Sequence, residues 1–178
     1  TATQQIAGFG RLLQHVRLQP QAKLIYLAGS EDRTRADLNL DIRLPRSMFR
    51  IGTADVGYDS RLNLQTGTPL GKGENGAWFR YGIIQSSFGA GVDYPVSPDW
   101  HVTGELFAPG DIRANLFTNL RTKWLGDDVW LTLGAYDLFH GDTTALGLGL
   151  EYRPGAAAPA RPARGAGDGP PAPAPLQP

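Results

Sequence analysis

The 178-residue chain contains no cysteine. A disulfide framework and thiolate metal sites are therefore both excluded. It has no charge excess either: 17 Lys+Arg are balanced by 17 Asp+Glu. That balance argues against a generic nucleic-acid binder, which carries a basic surplus. No apolar run approaches the roughly 20 residues that a membrane helix needs. A β-barrel escapes this exclusion, because each of its strands crosses with only about 9–11 alternating residues. No basic-then-apolar leader follows Thr1, so the sequence reads as a mature form or a piece of a longer chain.

What the chain has is alternation. In "RADLNLDIRLP" (35–45), Ala36, Leu38, Leu40, Ile42 and Leu44 form one set, and Arg35, Asp37, Asn39, Asp41 and Arg43 the other. Successive strand residues point to opposite faces, so this segment has an apolar wall and a charged wall. The same period of two recurs in "VRLQPQAKLIYLAG", "FGAGVDYPV", "HVTGELF", "IRANLFTNLRTKW" and "ALGLGLEY". It is looser in "MFRIGTADVGY", "AWFRYGIIQS" and "VWLTLGAYDLF". Turn signals such as "LPRS", "VSPD", "APGD" and "LGDD" separate these runs, and the 23 glycines favour turns and strands over helices. Short connections make sequence neighbours antiparallel neighbours. The expected fold is an all-β antiparallel meander of about eight to ten strands, a small outer-membrane-type β-barrel.

Three segments are expected. Residues 1–14 read as the end of an upstream element and 15–153 as the barrel. Residues 154–178 hold eight of the 14 prolines amid Ala and Gly and read as disordered.

In a membrane barrel the apolar wall meets lipid. The expected lipid-facing set is Leu38, Leu40, Ile42, Leu116, Leu120, Leu148 and Leu150. The expected lumen network is Arg35, Asp37, Asp41, Arg43, Arg80, Asp93, Glu105, Arg113 and Arg121. Trp78, Trp100, Trp124 and Trp130 lie near strand ends, with Tyr58, Tyr94 and Phe139 similarly placed, as interface aromatics do. Gly82, Gly89, Gly91, Gly147 and Gly149 recur opposite the leucines, where small residues leave room for charged neighbours. A soluble β-fold with a solvated polar face produces the same alternation.

Several segments also carry a family resemblance. "QAKLIYLAGSEDRTRADLNLDIRLPRSMFRIGTADVG" is followed by "WFRYGIIQSSFGAGVDYPVSPDWHVTGELFAPGD" and by "DDVWLTLGAYDLFHGDTTALGLGLEYRP". This resembles the C-terminal β-region of the long MlaD-like (mammalian cell entry, MCE) proteins of Gram-negative bacteria. The match falls on Arg80, Gly82, Ile83, Ser86, Gly89, Gly91, Asp93 and Tyr94, then on Glu105, Phe107, Gly134, Asp137, Gly147 and Gly149. The resemblance implies the outer-membrane end of a phospholipid conduit, without enzymatic activity or cofactor. It implies a permease and ATPase system as partners, phospholipid as cargo, and a homo-oligomer formed through an MCE domain that this sequence lacks. "YDLFHG" carries fewer acids than the family's hairpin.

Two other functional classes fit the residues. One is a soluble lipocalin-like lipid-binding module. The other is an outer-membrane lipid hydrolase, with His101, Thr103 and Glu105 on one strand face and Ser86 or Ser87 as nucleophile. His15, His101 and His140 lie on separate elements, so no metal site is expected. "GTPLGKGENG" lacks the spacing of a phosphate-binding P-loop and reads as a plain loop.

Overall fold

In a computed structural model, the described residues are 16–29, 32–71 and 76–155. The segment 1–14 lies outside them, as does the Pro/Ala/Gly-rich tail beyond Gly155. The folded region is ten strands: β1 (Arg17–Gly29), β2 (Arg33–Leu44), β3 (Ser47–Ala54), β4 (Arg61–Leu70), β5 (Ala77–Ile84), β6 (Ser87–Ser97), β7 (Trp100–Phe107), β8 (Arg113–Arg121), β9 (Val129–Tyr136) and β10 (Ala145–Tyr152). Each pairs antiparallel with its neighbour in sequence, and β1 closes on β10 from Ala22↔Tyr152 to Gly29↔Ala145. Closure leaves no strand edge exposed. The all-β antiparallel expectation is met, at the upper end of its strand count.

Local chemistry sets the hairpins. Gln85 and Ser86 both have positive φ (48° and 63°), the two-residue turn whose twist suits a tight hairpin. Pro45–Arg46 and Pro98–Asp99 make the turns into β3 and β7, the second beside a register shift between Pro95 and Ser97. At Gly82 (φ +138°) a Cβ would stand 2.4 Å from the Leu64 carbonyl oxygen, so only glycine lets β5 lie this close to β4. The other glycines expected to make room divide in two. Gly91 does give way to a lumen charge, since its Cβ would come 3.1 Å from Arg80 Nη2. At Gly89 and Gly149 the space is taken by the neighbouring backbone, and at Gly147 by the Tyr136 ring.

With ten strands, β1 begins and β10 ends at the same mouth, hereafter the terminus-side mouth. The far mouth is the one where β1, β3, β5, β7 and β9 end. At or near these ends the five strands carry buried apolar or aromatic side chains: Leu27, Ala54, Ile84, Phe107 and Tyr136. Ile25, Leu27, Tyr136 and Ala145 pack together there, with Phe117 against them. These inward side chains make an apolar collar at that end, interrupted by Arg33, Arg61 and Arg113 at the starts of even strands.

Candidate functional site

The two walls of the barrel have opposite chemistry. Every Asp, Glu, Lys, Arg and His in the ten strands falls on the inward set of its strand. The outward set is Leu, Ile, Val, aromatic, Ala, Thr, Pro, Ser and Gly. Leu38 (49% exposed), Leu116 (50%) and Leu148 (55%) stand on different sides of a continuous apolar exterior. Leu40, Ile42, Leu120 and Leu150 share this face.

Inside, the charges are held in clusters, because a buried charge without a partner is strongly unfavourable. Asp41, fully buried, accepts a bidentate bond from Arg50 (Nε 2.6 Å, Nη2 2.8 Å) and a third from Gln21 Nε2 (3.0 Å). Arg43 Nη2 stands 3.7 Å from the same carboxylate. Arg80, also fully buried, donates to Asp93 (2.7 and 3.0 Å), to Glu105 (3.2 Å) and to Gln65. Thr103 Oγ1 donates to Asp93 at 2.9 Å, and Asn115 Nδ2 to Glu105 at 3.4 Å. Arg35 grips Asp37 at 2.7 and 3.0 Å. Arg153 donates to Glu151 at 2.9 and 2.6 Å, and its Nη1 lies 3.3 Å from His101 Nδ1.

Asp37 and two asparagines also secure the far mouth. The backbone N–H groups of Asp55, Gln85 and Asp137, all at positive φ, donate to the side-chain oxygens of Asp37 (2.9 Å), Asn63 (2.9 Å) and Asn115 (3.1 Å). The turns after β3, β5 and β9 are thus tied to the even strand before them.

All nine lumen residues expected from the sequence point inward. Arg113 and Arg121 sit nearer the ends: Arg113 bridges Asp111 (3.3 Å) and Asp137 (3.2 Å), and Arg121 reaches Asp99 (3.5 Å). The tryptophans require a correction. Trp100 (42% exposed) and Trp124 (81%) do lie outside at the terminus-side mouth. Trp78 (6%) and Trp130 (0%) are inside. They share the strand phase of Arg80 and Thr132, and they stack on guanidinium groups: Arg43 over Trp78 at 5.7 Å, Arg121 and Arg153 over Trp130 at 4.9 and 5.3 Å. The exposed aromatics of the far mouth are Tyr26, Tyr58, Phe88 and Phe139.

Sequence reading missed Arg50, Arg153 and Glu151, the partners that complete two clusters. Arg50 alternates in phase with the buried Met48, so an apolar residue on the lumen side obscured which face was which.

The serine nucleophile arrangement is not assembled. Ser86 is in a far-mouth turn, where its Oγ accepts a bond from Leu62 N–H (2.9 Å), while His101 begins β7 at the opposite mouth. Among the described residues no group of three or more His, Asp and Glu is placed to hold a metal ion.

In the far-mouth loops, His140 lies between Asp111 (Nε2, 2.6 Å) and Asp137 (Nδ1, 3.0 Å), and Thr143 Oγ1 also donates to Asp137. The hydrogen bond with Asp111 holds the His140 imidazolium above the ordinary histidine range, and holds the Asp111 carboxyl below its own. At the other mouth the hydrogen bond from Lys123 lowers Asp99.

The lumen encloses a chamber of about 620 Å³ that reaches from Arg17, Ser97 and Gly155 at the terminus-side mouth down to Asn63, Gln85 and Tyr136. Its size falls within the roughly 300–1,000 Å³ of small-molecule sites.

The model of a lipocalin-like domain matches residues 13–154. The chain belongs to this lipocalin-like family. That match overturns the resemblance to MCE proteins, and with it the conduit, permease and ATPase that the resemblance implied. The shared glycines, charges and hairpins are demands of a small closed barrel, which unrelated lineages meet alike. No curated protein matches. A solved chain from "De novo design of transmembrane beta-barrels" is similar over 78% of this lipocalin-like chain and 95% of its own, with 13% identity and a TM-score of 0.38.

Proposed function

We propose that this lipocalin-like barrel resides in a lipid bilayer of the cell envelope, as an outer-membrane-type barrel, and serves there as a non-enzymatic receptacle with a wet interior. One observation carries the reading: no charged or histidine side chain lies on the outward face of any of the ten strands. In water such an exterior would be an apolar patch many times larger than the few hundred Å² that monomeric soluble proteins expose. In lipid it is the expected wall, flanked by aromatics at both ends and enclosing polar side chains. Strands of 8–13 residues suit a tilted crossing. The apolar collar at the far mouth favours a cup over a through-pore. Phospholipid acyl chains contact the outer wall, and the charged chamber is left for a polar guest.

Family membership favours a second reading, a water-soluble lipocalin-like module that binds lipid. The two separate in one experiment. The full chain is expressed in a Gram-negative host, membranes are washed with carbonate, and the extract is run on a gel with and without boiling. The membrane reading expects retention after the wash and faster migration of the unboiled band. A monodisperse protein free of detergent would overturn it in favour of the soluble module.

A further inference from the structure

Most charges of the lumen are already engaged: Arg35 holds Asp37, Arg50 holds Asp41, Arg80 holds Asp93, and Arg153 holds Glu151. A smaller set of groups, deep in the chamber, has hydrogen bonds still to make.

Two of these groups are buried. Tyr136 is 6% exposed, and its hydroxyl finds no partner among the described residues. Glu151 is fully buried; Arg153 donates to its Oε1, but its Oε2 accepts no hydrogen bond. Both residues line the chamber. Buried polar atoms are rarely left without a partner, so two of them beside one cavity point to something that fills it. Lys23, which faces Glu151 across the β1–β10 seam, also lines the chamber. Its Nζ stands 3.7 Å from Glu151 Oε2, too far for a hydrogen bond. The lysine and the glutamate offset each other's charge. What this corner lacks is hydrogen-bond partners, not a counter-ion.

The neighbouring wall is made of amides. Asn63 Nδ2 donates to Asn39 Oδ1 at 3.0 Å, and the two meet over Gly52, which is in register with both. A Cβ on Gly52 would come 2.4 Å from Asn39 Oδ1, so β3 adds no side chain here and the wall is recessed. The Asn39 Nδ2 group and the side-chain amide of Gln85 line the chamber without a hydrogen bond to any described residue. Donors and acceptors thus alternate around the deep chamber. A hydroxyl is donor and acceptor at once, so a small frame carrying several of them answers such a lining. An anion there would meet Glu105 and Glu151, and a cation would meet Lys23 and Arg35.

We infer that the deep chamber, between Lys23, Glu151 and Tyr136 on one side and Asn39 and Gln85 on the other, binds a neutral polyhydroxylated guest of the sugar class. The inference names the polar guest of the receptacle reading and rests on that reading only for the barrel's place in a bilayer. The hydroxyls come from one of two sources, a dissolved sugar or a glycolipid headgroup.

The test is isothermal titration calorimetry of the full chain in a sugar-free zwitterionic detergent, with glucose, galactose, maltose and trehalose as probes. Saturable heat is expected from at least one, with affinity falling several-fold to about tenfold in Tyr136→Phe and in Gln85→Ala. Neither variant removes a side-chain hydrogen bond that the empty barrel makes. Thermal stability should therefore hold while affinity drops, a split that a merely structural role would not give. Absence of saturable heat with all four sugars, or unaltered affinity in both folded variants, overturns the site. Vesicles then identify the source. Weaker apparent sugar affinity in glucosyl diacylglycerol than in phosphatidylcholine assigns the site to a headgroup; equal affinity assigns it to a dissolved sugar. If the barrel needs no detergent, the membrane reading fails while the same titration in water still decides the site.

Discussion

The two mouths of the barrel are built from the same ten strands and are finished differently. At the terminus-side mouth the last inward residues include Arg17, Arg43, Trp78 and Arg121, and an aqueous chamber opens there. At the far mouth the odd strands carry Leu27, Ala54, Ile84, Phe107 and Tyr136, the even strands start with Arg33, Arg61 and Arg113 among others, and three of the turns are tied down by Asp37, Asn63 and Asn115. Alternation along a strand fixes which wall a residue faces. It says nothing of the axis along the barrel, and that axis is where the functional asymmetry lies. One end opens a charged chamber; the other sets apolar strand ends among loop ion pairs and backbone caps.

The largest expected effect comes from breaking the charged half. Asp41→Ala leaves Arg50 buried without its carboxylate and should cost about 3–5 kcal/mol of stability, read by urea unfolding in detergent. An unchanged midpoint would mean that the Asp41–Arg50–Gln21 cluster is not what holds the wall. Next is the collar: Ile84→Ala should lose roughly 2–4 kcal/mol. It should also raise ion conductance across planar bilayers, and no rise would show that the collar does not narrow the lumen. A smaller loss, about 1–2 kcal/mol, is expected for Asn63→Ala, which orphans the Gln85 N–H. Hydrogen exchange should quicken at that turn and leave the terminus-side mouth unaltered.

The smallest effect is pH-dependent. His140 has its folded pKa raised by Asp111, so the loop clasp is complete below the ordinary histidine value of about 6.5 and is lost as pH rises through the raised one. Loop proteolysis at the far mouth should therefore accelerate from pH 6 to pH 9, and His140→Gln should flatten that dependence. Arg113, which also faces Asp111 and Asp137, is expected to hold part of the clasp at all pH values.

Much of this barrel was legible in its sequence. The charged and leucine sets of "RADLNLDIRLP" face inward and outward as their period requires, because a one-residue slip would reverse both walls at once. Legibility failed where both sets of a strand are apolar. In "VWLTL" either Trp130 or Val129 and Leu131 fit the outer wall, and only the register Trp130↔Glu151 and Trp130↔Arg121 places the indole inside. Arg50 was hidden for the same reason beside Met48. The chamber was illegible because it depends on residues from many strands at one height, and height is set by shear between strands. Lineage was misread because a closed barrel imposes glycines and charge alternation regardless of ancestry.

The pairing of β1 with β10 carries a further consequence, for how the chain reaches this state. Every other ladder joins sequence neighbours, so hairpins can form locally with little loop-closure entropy. The seam brings together residues as distant as Ala22 and Tyr152. It is the one strongly non-local contact in the topology, and it is rewarded only when the hairpins between are already in register. Until it forms, β1 and β10 each present a free backbone edge able to pair with another chain. The seam is thus both the kinetic bottleneck of folding and the point at which a closed monomer competes with edge-to-edge assembly.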